Sequence, residues 1–191
     1  NNCLNLRSVN IDATNQSLNT LSILDCPALT SVTILDNSSI EKVYISSPSV
    51  ESLTIKNCNK LKSVEIAIRP LESIQITNCE NFTTLNFIVS ENDEETKINE
   101  SEKLNVFDVN NTAIQYAGYA IDVNAASKEN IVDLYYFKNL TTINFLSCRN
   151  VEYIQLYNAT DTVLEPNSFN GCANLKRVYG HYLIKYITGN N

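Results

Sequence analysis

The six cysteines of this 191-residue chain all hold the same place in one recurring phrase. Cys3, Cys26, Cys58, Cys79, Cys148 and Cys172 are each followed three residues on by an apolar residue (Leu6, Leu29, Leu61, Phe82, Val151, Leu175). Another lies three further on (Val9, Val32, Val64, Leu85, Ile154, Val178). In the first five copies a third follows two positions later, at Ile11, Ile34, Ile66, Phe87 and Leu156, which gives C-x-x-L-x-x-V-x-I. Apolar residues at alternate positions, rich in Val and Ile, describe a short strand with one buried face. Cysteines placed by such a register are packing units that behave as small hydrophobes, not ligands or nucleophiles.

The same triplet recurs without cysteine at Leu18-Leu21-Ile23, Ile40-Val43-Ile45, Val50-Leu53-Ile55 and Leu71-Ile74-Ile76. Triplet starts then run 18, 29, 40, 50, 61, 71 and 82, in steps of 10 or 11. Asn15, Asn37 and Ser47 stand where other copies have cysteine. Two steps make a self-similarity of 21 or 22 residues, the sign of a solenoid. A strand-helix coil carries one triplet per turn, whereas two per turn predict extended segments on both walls of a flattened coil. Cys26 to Cys58 is 32 residues, three half-steps, while Cys58 to Cys79 is 21, or two. If the walls alternate strictly, the cysteines change walls between residues 26 and 58. With four glycines and four prolines, the turns fall to Asn, Asp and Ser, and Asn alone occurs 28 times.

The consensus L-x-x-L-x-L-x-x-N/C-x-L of leucine-rich repeats fits this spacing, with Leu71, Ile74, Ile76 and Cys79 on its first, second, third and N/C positions. The stretch Asn167-Ser168-Phe169-Asn170-Gly171-Cys172-Ala173-Asn174-Leu175-Lys176-Arg177-Val178 closely resembles the A-F-x-G-C-x-x-L-K-x-V core of bacterial surface leucine-rich repeats of the BspA-like group. Upstream copies such as Cys58-Asn59-Lys60-Leu61-Lys62-Ser63-Val64 are similar, without the aromatic-Gly step. The resemblance covers roughly residues 3–87 and 140–180. It implies a mainly β leucine-rich-repeat solenoid with coils of about 21–23 residues and short parallel strands. It also implies a secreted or surface-attached bacterial protein, with adhesion to host proteins or other cells as its business.

The expected organisation is a single domain over 1–191, with regular repeats at 3–87, an irregular acidic insertion at 88–139 and C-terminal repeats at 140–187. Glu91, Asp93, Glu94, Glu95, Glu100 and Glu102 crowd the insertion, relieved by Lys97 and Lys103. A solvated excursion accounts for that run. A calcium site is the sharper alternative, although the spacing is not that of an EF-hand loop and no central glycine is present. Leu104-Phe107-Val109 reads as one more triplet, and a short helix is expected after it, capped by Ser127 with Ile131, Leu134 and Tyr135 on one face. The excursion could lie against the solenoid or cover an edge.

A net charge of −7 offers no basic field for nucleic acid or an anionic membrane. No 20-residue apolar span predicts a transmembrane segment. The chain has no Met, which reads as a processed or excised piece. A disulfide framework suits short chains without a core, so free buried thiols are the expectation, with a Cys58–Cys79 bridge across one coil as the alternative. No C-x-x-C knuckle, phosphate loop or repeated acid-base constellation occurs, and the single histidine, His181, lies near the end. No metal, cofactor or enzymatic activity is therefore expected, with a solenoid polysaccharide-active enzyme the remote alternative. The N-x-S/T sequons, seven in all, carry weight only if the source is eukaryotic.

Residues between the inward apolar positions point out of the coil. They form a bland ladder: Thr20 and Ser22, Ser31 and Thr33, Lys42 and Tyr44, Ser52 and Thr54, Ser63 and Glu65, Ser73 and Gln75, Thr84 and Asn86. Past residue 140 the ladder turns to Tyr153, Gln155 and Tyr157, then Arg177 and Tyr179, and nine of ten tyrosines lie beyond residue 115. Tyr and Arg concentrate at interface hot spots, and Tyr is also simply a good strand residue. The expected function is a non-enzymatic module, monomeric, that binds a protein or glycan through Tyr153, Gln155, Tyr157, Arg177 and Tyr179. The alternative is a structural spacer that presents other domains.

Overall fold

The computed structural model describes residues 2–14, 16–89, 96–97, 103–119, 130–156, 163–164 and 168–180. Each x-L-x-I phrase is a strand of three to five residues, and nearly all inward positions are fully buried. The strands form two parallel sheets, the walls of a β-solenoid. Wall A comprises β1 (Ser8–Ile11), β3 (Ser31–Leu35), β5 (Ser52–Lys56), β7 (Ser73–Thr77), β9 (Val106–Asp108), β12 (Thr142–Asn144) and β14 (Val163–Leu164). Wall B comprises β2 (Thr20–Leu24), β4 (Lys42–Ser46), β6 (Ser63–Ala67), β8 (Thr84–Ile88), β10 (Tyr116–Tyr119), β11 (Ile131–Leu134), β13 (Tyr153–Leu156) and β15 (Arg177–Tyr179). From β1 to β8 the chain alternates walls strictly, and paired residues lie 21 to 23 positions apart. The half-step seen in the sequence is thus one wall, and the full step one coil.

The core changes character along the axis. Its first half is Ile, Leu and Val, whereas from Phe82 onward aromatic residues fill it. Phe87 meets Tyr119 and Phe137 edge-on at ring-centroid distances of 5.9 and 4.9 Å, and Phe145 lies 5.6 Å from Phe107 and 5.9 Å from Phe169. Such pairs add roughly 0.5–1.5 kcal/mol to the burial of their surface.

Most of the corners that lead into a phrase use one backbone device, and those into β5, β7 and β12 do without it. The residue just before the cysteine position has a left-handed backbone at Asn2, Asp25, Asp36, Asn57, Asn78, Asn111 and Ser147, with φ of 51–61°, and at Gly171, with φ of 75°. Asn and Asp tolerate this conformation better than other side chains, which is why the chain manages with so little glycine. Gly171 in the aromatic-Gly-Cys stretch holds the same place as Asn57 and Asn78 upstream. Along the corner from wall A to wall B the side chains of these residues link into a ladder: Asn57 Nδ2 donates to Asp36 Oδ1 (2.7 Å), Asn78 Nδ2 to Asn57 Oδ1 (3.1 Å), and Asn111 Nδ2 to Asn78 Oδ1 (3.0 Å).

The cysteines divide between the two corners. Cys3 and Cys26 enter wall A strands (β1, β3), while Cys58, Cys79, Cys148 and Cys172 enter wall B strands (β6, β8, β13, β15), so the files do change between residues 26 and 58. All six are free thiols. The buried ones donate to backbone carbonyls, Cys148 to Val109 O at 3.0 Å and Cys58 to Lys56 O at 3.3 Å among them. Burial pushes the Cys148 thiol up to about 12 and the Cys172 thiol up to about 11. The folded state therefore holds these thiols neutral, and the stability they contribute, full below pH ~9, is lost as pH rises through 11–12. Thiol titration with a chromogenic disulfide should find six groups after denaturation. In the native protein at neutral pH the exposed Cys3 should react first, and uniform reactivity of all six would contradict the packing.

One expectation about the insertion needs correction. Leu104, Phe107 and Val109 do form a buried triplet around β9. Residues 131–134, however, are strand β11 and not part of a helix: Val132 and Leu134 point into the core, Ile131 is half-buried on the outer face, and Tyr135 is exposed. The parallel edge of β10 is already in place, and pairing along it outweighs the helical spacing of a few apolar residues. Ser127, the expected cap, lies outside the described residues, as does most of the acidic run. Among the described residues of 88–139, three strands continue the two walls. Lys97, from the acidic stretch, is buried against the aromatic core, with Nζ 5.1 Å from the Tyr119 ring centroid and 5.5 Å from that of Tyr136.

Among the described residues the alternation fails once. There β10 and β11 are consecutive strands of the same wall, so eight strands are described on wall B and seven on wall A. On wall A, β9 pairs directly with β12, while on wall B, β11 stands between β10 and β13. With strands ~4.8 Å apart, two coils that are neighbours on wall A stand about 9.6 Å apart on wall B. The solenoid carries a wedge at this rung.

Candidate functional site

The outward face of wall B changes along its length. Its two rows run Thr20, Lys42, Ser63, Thr84, Tyr116, Ile131, Tyr153, Arg177 and Ser22, Tyr44, Glu65, Asn86, Gly118, Asp133, Gln155, Tyr179. Short polar residues dominate the first four strands, and aromatic and charged residues the last four. The corresponding rows of wall A stay short and mostly neutral, with Ser8, Ser31, Ser52, Ser73 in one and Asn10, Thr33, Thr54, Gln75 in the other.

Of the five residues singled out by sequence, four come together at the end of wall B. Tyr153 and Gln155 on β13 pair in register with Arg177 and Tyr179 on β15. Tyr153 and Gln155 are half-buried, Arg177 is exposed and Tyr179 is 42% exposed. The Tyr153 and Tyr179 rings are diagonal neighbours, stacked at 6.5 Å with an interplanar angle of 22°. Cations of the same strip lie over both: Lys176 Nζ is 5.6 Å from the Tyr153 ring and the Arg177 guanidinium 5.6 Å from that of Tyr179. Lys176 also pairs with Glu152, whose carboxyl is held below the usual range by the Lys176 hydrogen bond. Tyr157 lies outside the described residues, as does His181.

The strip is therefore an organised surface of stacked rings and cations placed over them. It presents a large amphipathic area at low entropic cost, because contacts within the chain already hold the rings. Among the described residues no group of His, Cys, Asp and Glu is placed to hold a metal ion, and no helix is long and apolar enough to cross a membrane.

Because 131–134 is a strand and not a helix, the surface continues onto β10 and β11. Asp133 stands beside Gln155 and Ile131 beside Tyr153. Tyr116, one strand further, lies flat along wall B: its hydroxyl donates to Tyr119 O at 3.0 Å, and a Cβ at Gly118 would meet Tyr116 Oη at 2.6 Å. Gly118 is required by that close approach, and no signal in the sequence marks it.

A second feature sits at the wedge, on the corner from wall A to wall B. The corners at 111–114 and 147–151 are adjacent where they leave wall A, with Asn111 N donating to Leu146 O at 2.7 Å. They diverge to opposite sides of β11 on wall B. Between them opens a cleft of about 340 Å³, lined by Glu80, Asn111, Thr112, Ser147, Arg149 and Asn150. Asn150 Nδ2 reaches Ala113 O at 3.4 Å.

Compared with known proteins, the chain matches no family model, no curated protein and no solved structure.

Proposed function

We propose that this chain is a non-enzymatic binding module that takes a protein or glycan partner on the outer face of wall B, centred on Tyr153, Gln155, Arg177 and Tyr179. The observation that carries the reading is the stacked, cation-flanked tyrosine pair on the outer face of β13 and β15, in a solenoid whose other outward rows are largely short and polar. Rings held in place in advance bind at a smaller ordering cost than mobile ones. The net charge of −7 turns nucleic acid away and leaves neutral or basic protein surfaces and neutral glycans as the partners of choice. The likeness of Phe169-Asn170-Gly171-Cys172 to bacterial surface repeats supports a secreted or surface-exposed bacterial setting and an adhesive role.

Capture on immobilised host matrix proteins and glycans tests this. Wild-type protein is expected to bind at least one surface, and the double variant Tyr153→Ala/Tyr179→Ala to lose about tenfold or more, since removal of an interface hot-spot aromatic costs about 2 kcal/mol or more. Equal capture by both would sink the site. The rows of Ser and Thr on wall A favour a second reading, a stiff spacer that presents other domains. Failure of wild type to bind any surface in the panel would favour it.

A further inference from the structure

Two of the cysteines that lead into wall B stand on neighbouring coils with their side chains turned together. Cys58 and Cys79 lie 21 residues apart, the offset that pairs Ser63 with Thr84 on β6 and β8 and links Asn57 to Asn78 in the amide ladder. They are therefore in register. A spacing of ~4.8 Å between coils puts their Cα atoms inside the range of about 4.4–6.8 Å that a disulfide spans. The Cys79 sulfur leans toward the preceding coil, where Cys58 N donates to it at 3.4 Å, and the two thiols hydrogen-bond each other with Cys79 as donor. That bond holds the Cys58 thiol below its ordinary pKa and pushes the Cys79 thiol up. Both side chains are buried, yet each lies directly beneath its turn. Exposed Asn57 and Asn59 flank Cys58, and exposed Asn78 and Glu80 flank Cys79. Cys148 and Cys172, also on neighbouring coils, are arranged differently. Each of these thiols is tied to a carbonyl of the coil before it, Cys148 to Val109 O and Cys172 to Phe145 O, both at 3.0 Å, and burial pushes both up.

From this arrangement we infer that Cys58 and Cys79 form a redox site, a dithiol that closes to a disulfide between two coils when the protein meets a peroxide. The thiolate is the attacking species, and Cys58 is the thiol that gives up its proton to become one. Its sulfur attacks the peroxide: an S–O bond forms, the O–O bond breaks, and the leaving hydroxide takes up the proton to become water. Cys58 is then a sulfenic acid. The Cys79 sulfur attacks the Cys58 sulfur, an S–S bond forms, the S–O bond breaks, and hydroxide leaves as a second water with the Cys79 proton. Two thiols are oxidised by two electrons and one hydrogen peroxide is reduced to two waters. The bridge closes the loop from residue 58 to residue 79, which restricts the unfolded chain and fixes two coils to each other. Cys148 and Cys172 stay reduced, because neither thiol faces the other and neither ionises readily at neutral pH. The site is separate from the tyrosine strip and does not depend on its binding a partner.

The test starts from reduced protein carrying Cys3→Ser, which removes the exposed thiol and leaves the other five of the six. Folded protein is treated with a small excess of hydrogen peroxide at neutral pH, then denatured, and its thiols are counted. The count is expected to fall from five to three and to return to five with dithiothreitol. Peptide mapping without reductant should find Cys58 joined to Cys79, and the urea midpoint of the oxidised protein should be higher than that of the reduced one. In the same background Cys79→Ser should yield no such bridge. Serine already holds the equivalent place at Ser47, where its Oγ donates to Cys26 O at 2.7 Å, so the fold accepts a hydroxyl there. An unchanged count of five overturns the proposal, as does a loss that dithiothreitol does not reverse. A bridge mapped to Cys148 and Cys172 in place of Cys58 and Cys79 also overturns it, and this map decides the matter whether or not the serine variant folds.

Discussion

Replacing Leu53 or Ile74 by alanine is expected to destabilise the protein by about 2–5 kcal/mol, as buried aliphatic truncations generally do. Both side chains are fully buried, and they face each other across β5 and β7, with Val32 on the far side of Leu53. In a solenoid the core is one column, so a hole at one rung removes contacts from the coil above and the coil below. Neighbouring coils cannot collapse into it without breaking the hydrogen-bond ladder of both walls, which places the cost toward the upper part of the range. Ser52→Ala and Thr54→Ala, one position either side on the outer face, should change stability by no more than about 0.5 kcal/mol. Urea unfolding of the four variants measures this directly. Equal midpoint shifts for inward and outward positions would mean that the inside–outside assignment is wrong.

Asn37→Cys is expected to be among the most damaging single changes outside the apolar core, although six other corners carry cysteine at the equivalent position. At five of these six corners the amide three residues on bonds to the backbone carbonyl of the cysteine, among them Leu29 N to Cys26 O (3.0 Å), Leu61 N to Cys58 O (3.1 Å) and Phe82 N to Cys79 O (3.0 Å). The side chain is then free to be a thiol. At the Asn37 corner the equivalent amide, Ile40 N, bonds instead to Asn37 Oδ1 at 2.9 Å, and Ser39 N shares the same oxygen at 3.1 Å. Asn37 Nδ2 also reaches back one coil to Asp12 O at 3.2 Å, and the residue is fully buried. A thiol is a weak acceptor and cannot replace the carboxamide. Each buried amide left unpaired costs about 1–3 kcal/mol, so a total loss of about 2–5 kcal/mol is expected, read as a lower urea midpoint. Loss of less than about 0.5 kcal/mol would show that the corner re-forms on the backbone carbonyl as its cysteine counterparts do.

These two predictions mark where sequence and structure part company. The inward triplets around Leu53 and Ile74 are legible because strand periodicity is local and each side chain has one of two faces to choose. Asn37 is legible as a repeat position but not as a different corner, because whether a carbonyl or a side-chain oxygen accepts the corner amide is decided by local backbone geometry that composition does not encode. The left-handed residues are Asn, Asp, Ser or Gly just ahead of Cys, Asn or Thr, a pairing that strand periodicity does not mark.

The candidate surface was partly readable in the same way. Tyr153, Gln155, Arg177 and Tyr179 follow from counting outward positions, but the stacking of Tyr153 on Tyr179 depends on the diagonal offset between β13 and β15. The placement of Asp133 and Ile131 beside them depends on β11 being a strand, which its own short sequence leaves open.

The sequence by itself determined the coil: its 21–22-residue period, its two walls, its inward residues and the change of wall between Cys26 and Cys58. Each of these is repeated along the chain, and repetition lets local preferences of a few tenths of a kcal/mol add up to a pattern that can be read. Tertiary structure alone decided the wedge. Among the described residues wall B has a strand with no counterpart on wall A, because β9 pairs directly with β12 while β11 pairs with both β10 and β13. That choice is made by long-range hydrogen bonding between segments 15 to 36 residues apart, occurs once, and has no period to betray it.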